Sequence, residues 1–169
     1  MNYIKISKCD TANGIGIGVV LWISGCNCHC KNCHNQSTWD FNSGVPFTED
    51  SMQEVFEALN KPYISRLTLS GGHPLDPLNA PAVLEIVKRV KAALPDKMIW
   101  VYSGYTWEYI IQNETLNEIL KYIDILVDGA YIDELRDISL DFRGSSNQRI
   151  IDVQESLKQN KIVILSYTN

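Results

Sequence analysis

Four short runs of β-branched and aliphatic residues punctuate this chain. Each hands over at its C-terminal end to a loop crowded with glycine, cysteine, histidine or aspartate. The runs are Gly18–Ser24 (GVVLWIS), Arg66–Ser70 (RLTLS), Met98–Tyr102 (MIWVY) and Ile123–Gly129 (IDILVDG). Their residue types, and the Gly, Pro or polar residues that bound them, predict buried strands. Lys161–Ser166 (KIVILS) is a fifth candidate. Helical patterns lie between them. In TEDSMQEVFEALN, Thr48 or Asp50 is placed to cap a helix whose Met52, Val55, Phe56 and Leu59 recur at helical spacing. NAPAVLEIVKRVKAALP offers Asn79 as a cap, Pro81 near the first turn, Val83, Val87, Val90 and Leu94 on one face, and Pro95 as a stop. TWEYIIQNETLNEILKYI reads as a third helix or as two short ones.

Alternation of this kind predicts parallel βα units. A chain of 169 residues holds four or five of them, whereas a complete eightfold barrel takes about 200 residues or more. The expectation is a single α/β domain over residues 1–169, built as a partial (β/α) barrel or open parallel sheet. Helices lie outside, and the cysteine-rich loop follows the first strand. In such folds the loops leaving the C-terminal strand ends build the site. That rule puts the cysteine loop, SGGHPLDP, SGYT and DGAY on one edge. The GIGIG run precedes a strand instead of following one, so it does not read as a dinucleotide-binding turn.

The formal net charge of −5 argues against a nucleic-acid partner, which needs a basic face. No apolar run approaches the roughly 18 residues that a membrane span requires. The opening MNYIKISKCDTANG lacks the apolar core of a signal peptide. The expected location is the cytoplasm, away from any membrane.

Four of the five cysteines fall between Gly25 and Cys33, in GCNCHCKNC. An odd, clustered set suits a metal or redox site better than a disulfide framework. Cys26, Cys30 and Cys33 have C-x3-C-x2-C spacing, with Cys28 as an additional thiol. Three thiolates on a compact loop suit three corners of a cubane iron–sulfur cluster, leaving one iron open. A structural zinc site completed by Cys28, His29 or His34 is the alternative that the spacing leaves standing. Cys9 stands apart with no assigned role. Trp22, Trp39, Trp100 and Trp107 read as core or rim packing.

The cysteine loop after a first strand, followed by a glycine pair after the second, resembles the radical S-adenosylmethionine superfamily. More closely, the chain is similar to the small activating enzymes of anaerobic ribonucleotide reductase. The residues that carry this resemblance are Asn13–Gly16 (NGIG), Ser24–Gly44 (SGCNCHCKNCHNQSTWDFNSG), Leu67–Leu75 (LTLSGGHPL), Ile99–Thr106 (IWVYSGYT), Leu126–Gly129 (LVDG) and Phe142–Arg149 (FRGSSNQR). They span most of the chain.

The resemblance implies that Cys26, Cys30 and Cys33 bind three irons of a [4Fe–4S] cluster, while S-adenosyl-L-methionine chelates the fourth. Cys28 falls in the variable part of the loop and is left without a role. Asn32, Cys33 and His34 are implied to line the adenine side of the cofactor, with His34 in place of the usual aromatic. Gly71 and Gly72 are implied to admit its methionine part, since residues without side chains allow close approach. His73 stands where the family usually has Glu or Asp. A neutral imidazole can accept a hydrogen bond but carries no negative charge, so the expectation is either a lower, pH-dependent cofactor affinity or compensation by nearby Asp76. Asp128, at a strand end, is a candidate for contact with the cofactor ribose, a cation or the substrate loop, with a strand-terminal turn Asp as the alternative. Ser103 and Tyr105 are candidates of the same kind, and RGSSNQR is a candidate loop for cofactor or partner contact. Gly18 replaces a frequent Arg, and Ala130 a Lys found in some relatives.

The implied activity is generation of a glycyl radical on the reductase large subunit, through reductive cleavage of S-adenosylmethionine to a 5′-deoxyadenosyl radical. An electron donor such as flavodoxin is implied with it. Another glycyl-radical enzyme or a small heterocycle as target, and a non-catalytic zinc module, are the competing readings.

Overall fold

The computed structural model describes residues 1–167. In chain order the strands and helices are β1 (Asn2–Asp10), β2 (Gly18–Ile23), β3 (Val45–Pro46), α1 (Glu49–Leu59), β4 (Arg66–Gly71), α2 (Ala80–Ala93) and β5 (Met98–Tyr102). They continue as α3 (Trp107–Ile110), α4 (Glu114–Leu120), β6 (Ile125–Asp128), β7 (Arg149–Asp152), α5 (Val153–Gln159) and β8 (Val163–Ile164). All eight strands join one sheet in the order β3-β1-β2-β4-β5-β6-β7-β8.

The four strands read from the sequence are its centre. β2, β4, β5 and β6 pair in parallel, as the βα alternation predicts. The wholly parallel sheet is corrected at both flanks. β1 and β3 on one side, and β7 and β8 on the other, are antiparallel. On the β1 side the reason is connection length: a parallel neighbour needs a crossover of a dozen residues or so, and only a short loop joins β1 to β2. The cysteine loop therefore follows the first strand of the parallel set, which is the second strand of the chain.

β1, β3, β7 and α5 were not legible in the sequence. β1 carries Lys5, Ser7 and Lys8 among its apolar residues and is nowhere fully buried, so it lacks the apolar run that marks a central strand. The long third helical pattern resolves into α3 and α4, with Asn113 capping the second through the Leu116 N–H. Thr48 caps α1 and forms a reciprocal capping box with Ser51.

Alternation along the strands sorts side chains to two faces. Val19, Leu21, Ile23, Leu67, Leu69, Ile99, Val101 and Leu126 pack with residues of α1, α2, α3 and α4 into the main core. The other face is mixed in character. Trp100, Ile125, Val127 and Ile150 form a small apolar cluster there with Tyr102 and Phe142. Beside them Arg66 is buried completely. Its guanidinium donates to the Asp10 carbonyl at 3.2 Å and to the Asp10 carboxylate at 3.0 Å, tying β4 to the end of β1. Gly18 is the register partner of Arg66 on β2. A Cβ at position 18 would lie 1.8 Å from the Arg66 Nη1, so the guanidinium occupies the space over Gly18.

Candidate functional site

The C-terminal ends of β2, β4, β5 and β6 open on a shared cavity. Cys26, Cys28, Cys30 and Cys33 all line it, in about 150 Å³ of space. Opposite them stand Gly71, Gly72, His73, Ser103 and Gly104. A larger cavity of about 470 Å³ shares Cys33, Asn35, Ser70, Tyr102, Tyr131 and Gln148 with the first, and extends to Asn13, Arg136, Phe142 and Arg143.

Backbone bonds fix the loop that carries the thiols. Gly25 and Cys26 N–H donate to the carbonyls of Thr38 and Trp39 at 2.7 and 3.0 Å. His29 and Asn32 adopt positive φ of 47° and 55°, which turns the chain twice within the motif. The His29 ring lies on Trp39 at 4.6 Å between centroids. The Asn35 N–H donates to Cys33 Sγ at 3.4 Å. Cys26 is pulled down to about 6, first by the Cys28 thiol and then by backbone N–H groups of Cys28 and His29 acting against burial. Donation to Cys26, together with burial, pushes Cys28 up. Burial also raises Cys30.

The glycine pair is explained first by packing of backbone on backbone. Gly71 has φ of +102°, a conformation costly to any other residue. A Cβ on Gly72 would fall 2.6 Å from the Gly25 carbonyl oxygen. The loop after β4 is thereby pressed onto the start of the cysteine loop, with Gly72 N–H donating to Ile23 at 2.7 Å and His73 N–H to Gly25 at 2.8 Å.

Asn79 secures the same junction. Its sequence position suggests a helix cap, yet it makes no side-chain capping bond. Its Nδ2 instead donates to the carbonyls of Ser24, Gly25 and His73 at 3.0, 3.2 and 3.0 Å. An Asn before a helix carries the same signal for either role, so sequence reasoning missed this buried clamp.

His73 is buried, and burial holds its pKa down to about 4 against the opposing effect of Asp76. Its Nε2 accepts from the Gly104 N–H at 3.2 Å and lies 3.2 Å from the Ser103 hydroxyl. An Nε2 that accepts leaves the proton of the neutral ring on Nδ1. That nitrogen faces Cys28 Sγ at 3.7 Å. Asp76 reaches the cysteine loop indirectly, accepting from Asn27 Nδ2 at 2.9 Å.

The other residues named from the sequence divide clearly. Cys33, Gly71, Gly72, His73 and Ser103 meet at the cavity, and His34 lines the larger one beside Tyr131. Asn32 is exposed and donates to Asp133 at 2.7 Å, away from both walls. Asp128 is buried behind the cavity edge. Its carboxylate accepts from the Trp107 N–H at 2.7 Å and the Arg149 Nε at 2.9 Å, which anchors α3 and β7 to the end of β6. In RGSSNQR, Asn147 and Gln148 donate to the carbonyls of Ala130 and Gly129 at 2.8 and 3.0 Å, pinning the strand end that forms one cavity wall. Arg143 donates to the Gln148 carbonyl at 2.9 Å and helps line the larger cavity.

The donor set fits an iron–sulfur cluster. Cys26, Cys30 and Cys33 come from one loop and line one cavity, and three thiols are the donor type that a cubane cluster takes at three of its corners.

Comparison with known proteins agrees on the class. Residues 12–151 match the 4Fe-4S single cluster domain, so the cysteine loop and the four parallel strands belong to a single-cluster iron–sulfur domain. The chain is 43% identical to the anaerobic ribonucleoside-triphosphate reductase-activating protein of Vibrio cholerae, over 89% of this chain and 97% of that one. It is 44% identical to the protein of that name in Enterobacteria phage T4, over 89% and 93%, and 42% identical to that of Escherichia coli, over 88% and 96%. The chain belongs to the family of anaerobic ribonucleoside-triphosphate reductase-activating proteins. Among the described residues no helix is long and apolar enough to cross a membrane.

Proposed function

We propose that this protein activates an anaerobic ribonucleoside-triphosphate reductase in the cytoplasm by generating a glycyl radical on the large subunit. The observation that carries the reading is the meeting of Cys26, Cys30 and Cys33 with the Gly71–Gly72 loop at one cavity, in a chain so similar to reductase-activating proteins. Cys26, Cys30 and Cys33 would hold a [4Fe–4S] cluster, which, given one electron from a donor such as flavodoxin, would supply the reductive cleavage of S-adenosyl-L-methionine to methionine and a 5′-deoxyadenosyl radical able to take an α-hydrogen from a glycine of the reductase.

The chain's own residues orient and enclose. The loop after β4, clamped by Asn79, sets the wall against which the methionine part lies. His73 accepts through Nε2 from Gly104, so its ring braces that wall and supplies no charge to a cofactor amine. Ser103 lies beside it on the same wall. The larger cavity, bordered by His34, Tyr131 and Arg143, takes the adenosine part and a peptide segment of the partner. A cavity open on one side admits a loop of a macromolecule, which then excludes water from the reacting atoms.

The test is anaerobic reconstitution with iron and sulfide, followed by EPR of the reduced protein with and without S-adenosylmethionine. A reduced [4Fe–4S] signal that changes with the cofactor, and a glycyl radical on the added reductase subunit, are expected. Stoichiometric zinc and no cluster would refute the reading.

A further inference from the structure

Cys28 has no role in the ligand set above, yet it is not turned away from the site. Its Sγ lines the same cavity as the three other thiols. It lies 3.7 Å from His73 Nδ1, on the side where the loops after β4 and β5 meet. Gly104 makes room for it: a Cβ there would fall 2.4 Å from the sulfur. The sulfur therefore sits against the wall that the proposed function gives to the methionine part of the cosubstrate. One position is offered to two occupants.

We propose that Cys28 is an exchangeable fourth ligand, bound to the open iron of the cluster when S-adenosylmethionine is absent and displaced when it binds. This rests on the cluster assignment of the proposed function. On closure, an iron–sulfur bond forms to the Cys28 thiolate and its proton leaves through the cavity to solvent. His73 does not take that proton, because its Nδ1 already carries one and its Nε2 is occupied by Gly104. No electron moves. On cosubstrate binding that bond breaks, the amino and carboxylate groups take the iron, and the thiol regains a proton. The exchange keeps solvent and oxidants off the open iron until the cosubstrate arrives. Gly104 and His73 serve as positioning residues that seat the sulfur.

The test compares wild type with Cys28→Ala, Cys28→Ser and Gly104→Ala, each reconstituted anaerobically and titrated with ferricyanide. The readouts are the EPR signal of an oxidised three-iron cluster and the iron content. Without S-adenosylmethionine, wild type should keep four irons under oxidant that strips the fourth iron from Cys28→Ala several-fold faster. Gly104→Ala leaves the cysteine loop intact but fills the seat of the sulfur, so it should behave like Cys28→Ala. With saturating S-adenosylmethionine, Cys28→Ala and wild type should lose iron equally slowly. Equal loss from wild type and Cys28→Ala without the cosubstrate overturns the exchange while leaving the cluster assignment intact. Failure of wild type to form a four-iron cluster, or its formation unchanged in Cys26→Ser, Cys30→Ser and Cys33→Ser, overturns the assignment itself.

Discussion

Gly18 and Arg66 form a steric pair that a single methyl group should expose. They are register partners on adjacent parallel strands, and Arg66 is completely buried. A Cβ on residue 18 would stand 1.8 Å from the Arg66 Nη1 and 2.5 Å from its Cγ. The near atoms belong to a side chain held by three bonds to Asp10, so it cannot swing aside freely. Overpacking of this kind costs about 2 kcal/mol. For a domain of this size that lowers Tm by about 4–8 °C. Removing the partner is costly too: Arg66→Ala breaks a buried ion pair and should cost about 3 kcal/mol. Independent sites would make the double variant about 5 kcal/mol less stable, because distant effects add. In the structure the new methyl of Gly18→Ala enters space that Arg66→Ala has emptied, so the double variant should be no worse than Arg66→Ala alone. Anaerobic urea unfolding followed by far-UV circular dichroism measures all four corners. An additive cycle, or a Gly18→Ala variant as stable as wild type, would refute the reasoning.

Gly72→Ala should fold yet lose cluster incorporation, because its Cβ would push the loop after β4 off Gly25. Iron content against circular dichroism separates the two effects, and normal iron loading would refute it. Asp128→Asn keeps an acceptor for the Trp107 N–H but loses the charge opposite Arg149, and should cost about 3 kcal/mol in urea unfolding. No change would mean that the pair is not held in solution. The Arg149 side chain holds Glu108 down to about 2. A depressed carboxylate stabilises fully above its unfolded value, and that contribution is lost as pH falls through the folded one. Stability measured between pH 5 and pH 2 should therefore fall less steeply in Glu108→Gln than in wild type. Parallel profiles would count against the bond.

The parts of this protein visible in its sequence are those written in local chemistry. A central strand buried on both faces favours an apolar run, so β2, β5 and β6 announce themselves, and β4 does so by the leucines that alternate with Arg66, Thr68 and Ser70. Cysteine spacing is equally local, and the loop after β2 could be read without knowing what faces it. β1 and β7 stayed hidden because a half-buried flanking strand mixes charged and apolar residues, and its identity comes from the neighbour it pairs with. Asn79 shows the same limit within the site: before a helix an Asn reads as a cap, and only the fold brings three carbonyls within reach of its amide. Asp128 was legible as a strand-end acid, but its engagement with Trp107 and Arg149 depends on elements about twenty residues away on either side. The sequence by itself determined which strands form the centre and that three thiols share a motif. Only the tertiary structure decided that Cys28 lies against His73 and Gly104, because those residues come from three different strand ends whose register is set by pairing across the sheet.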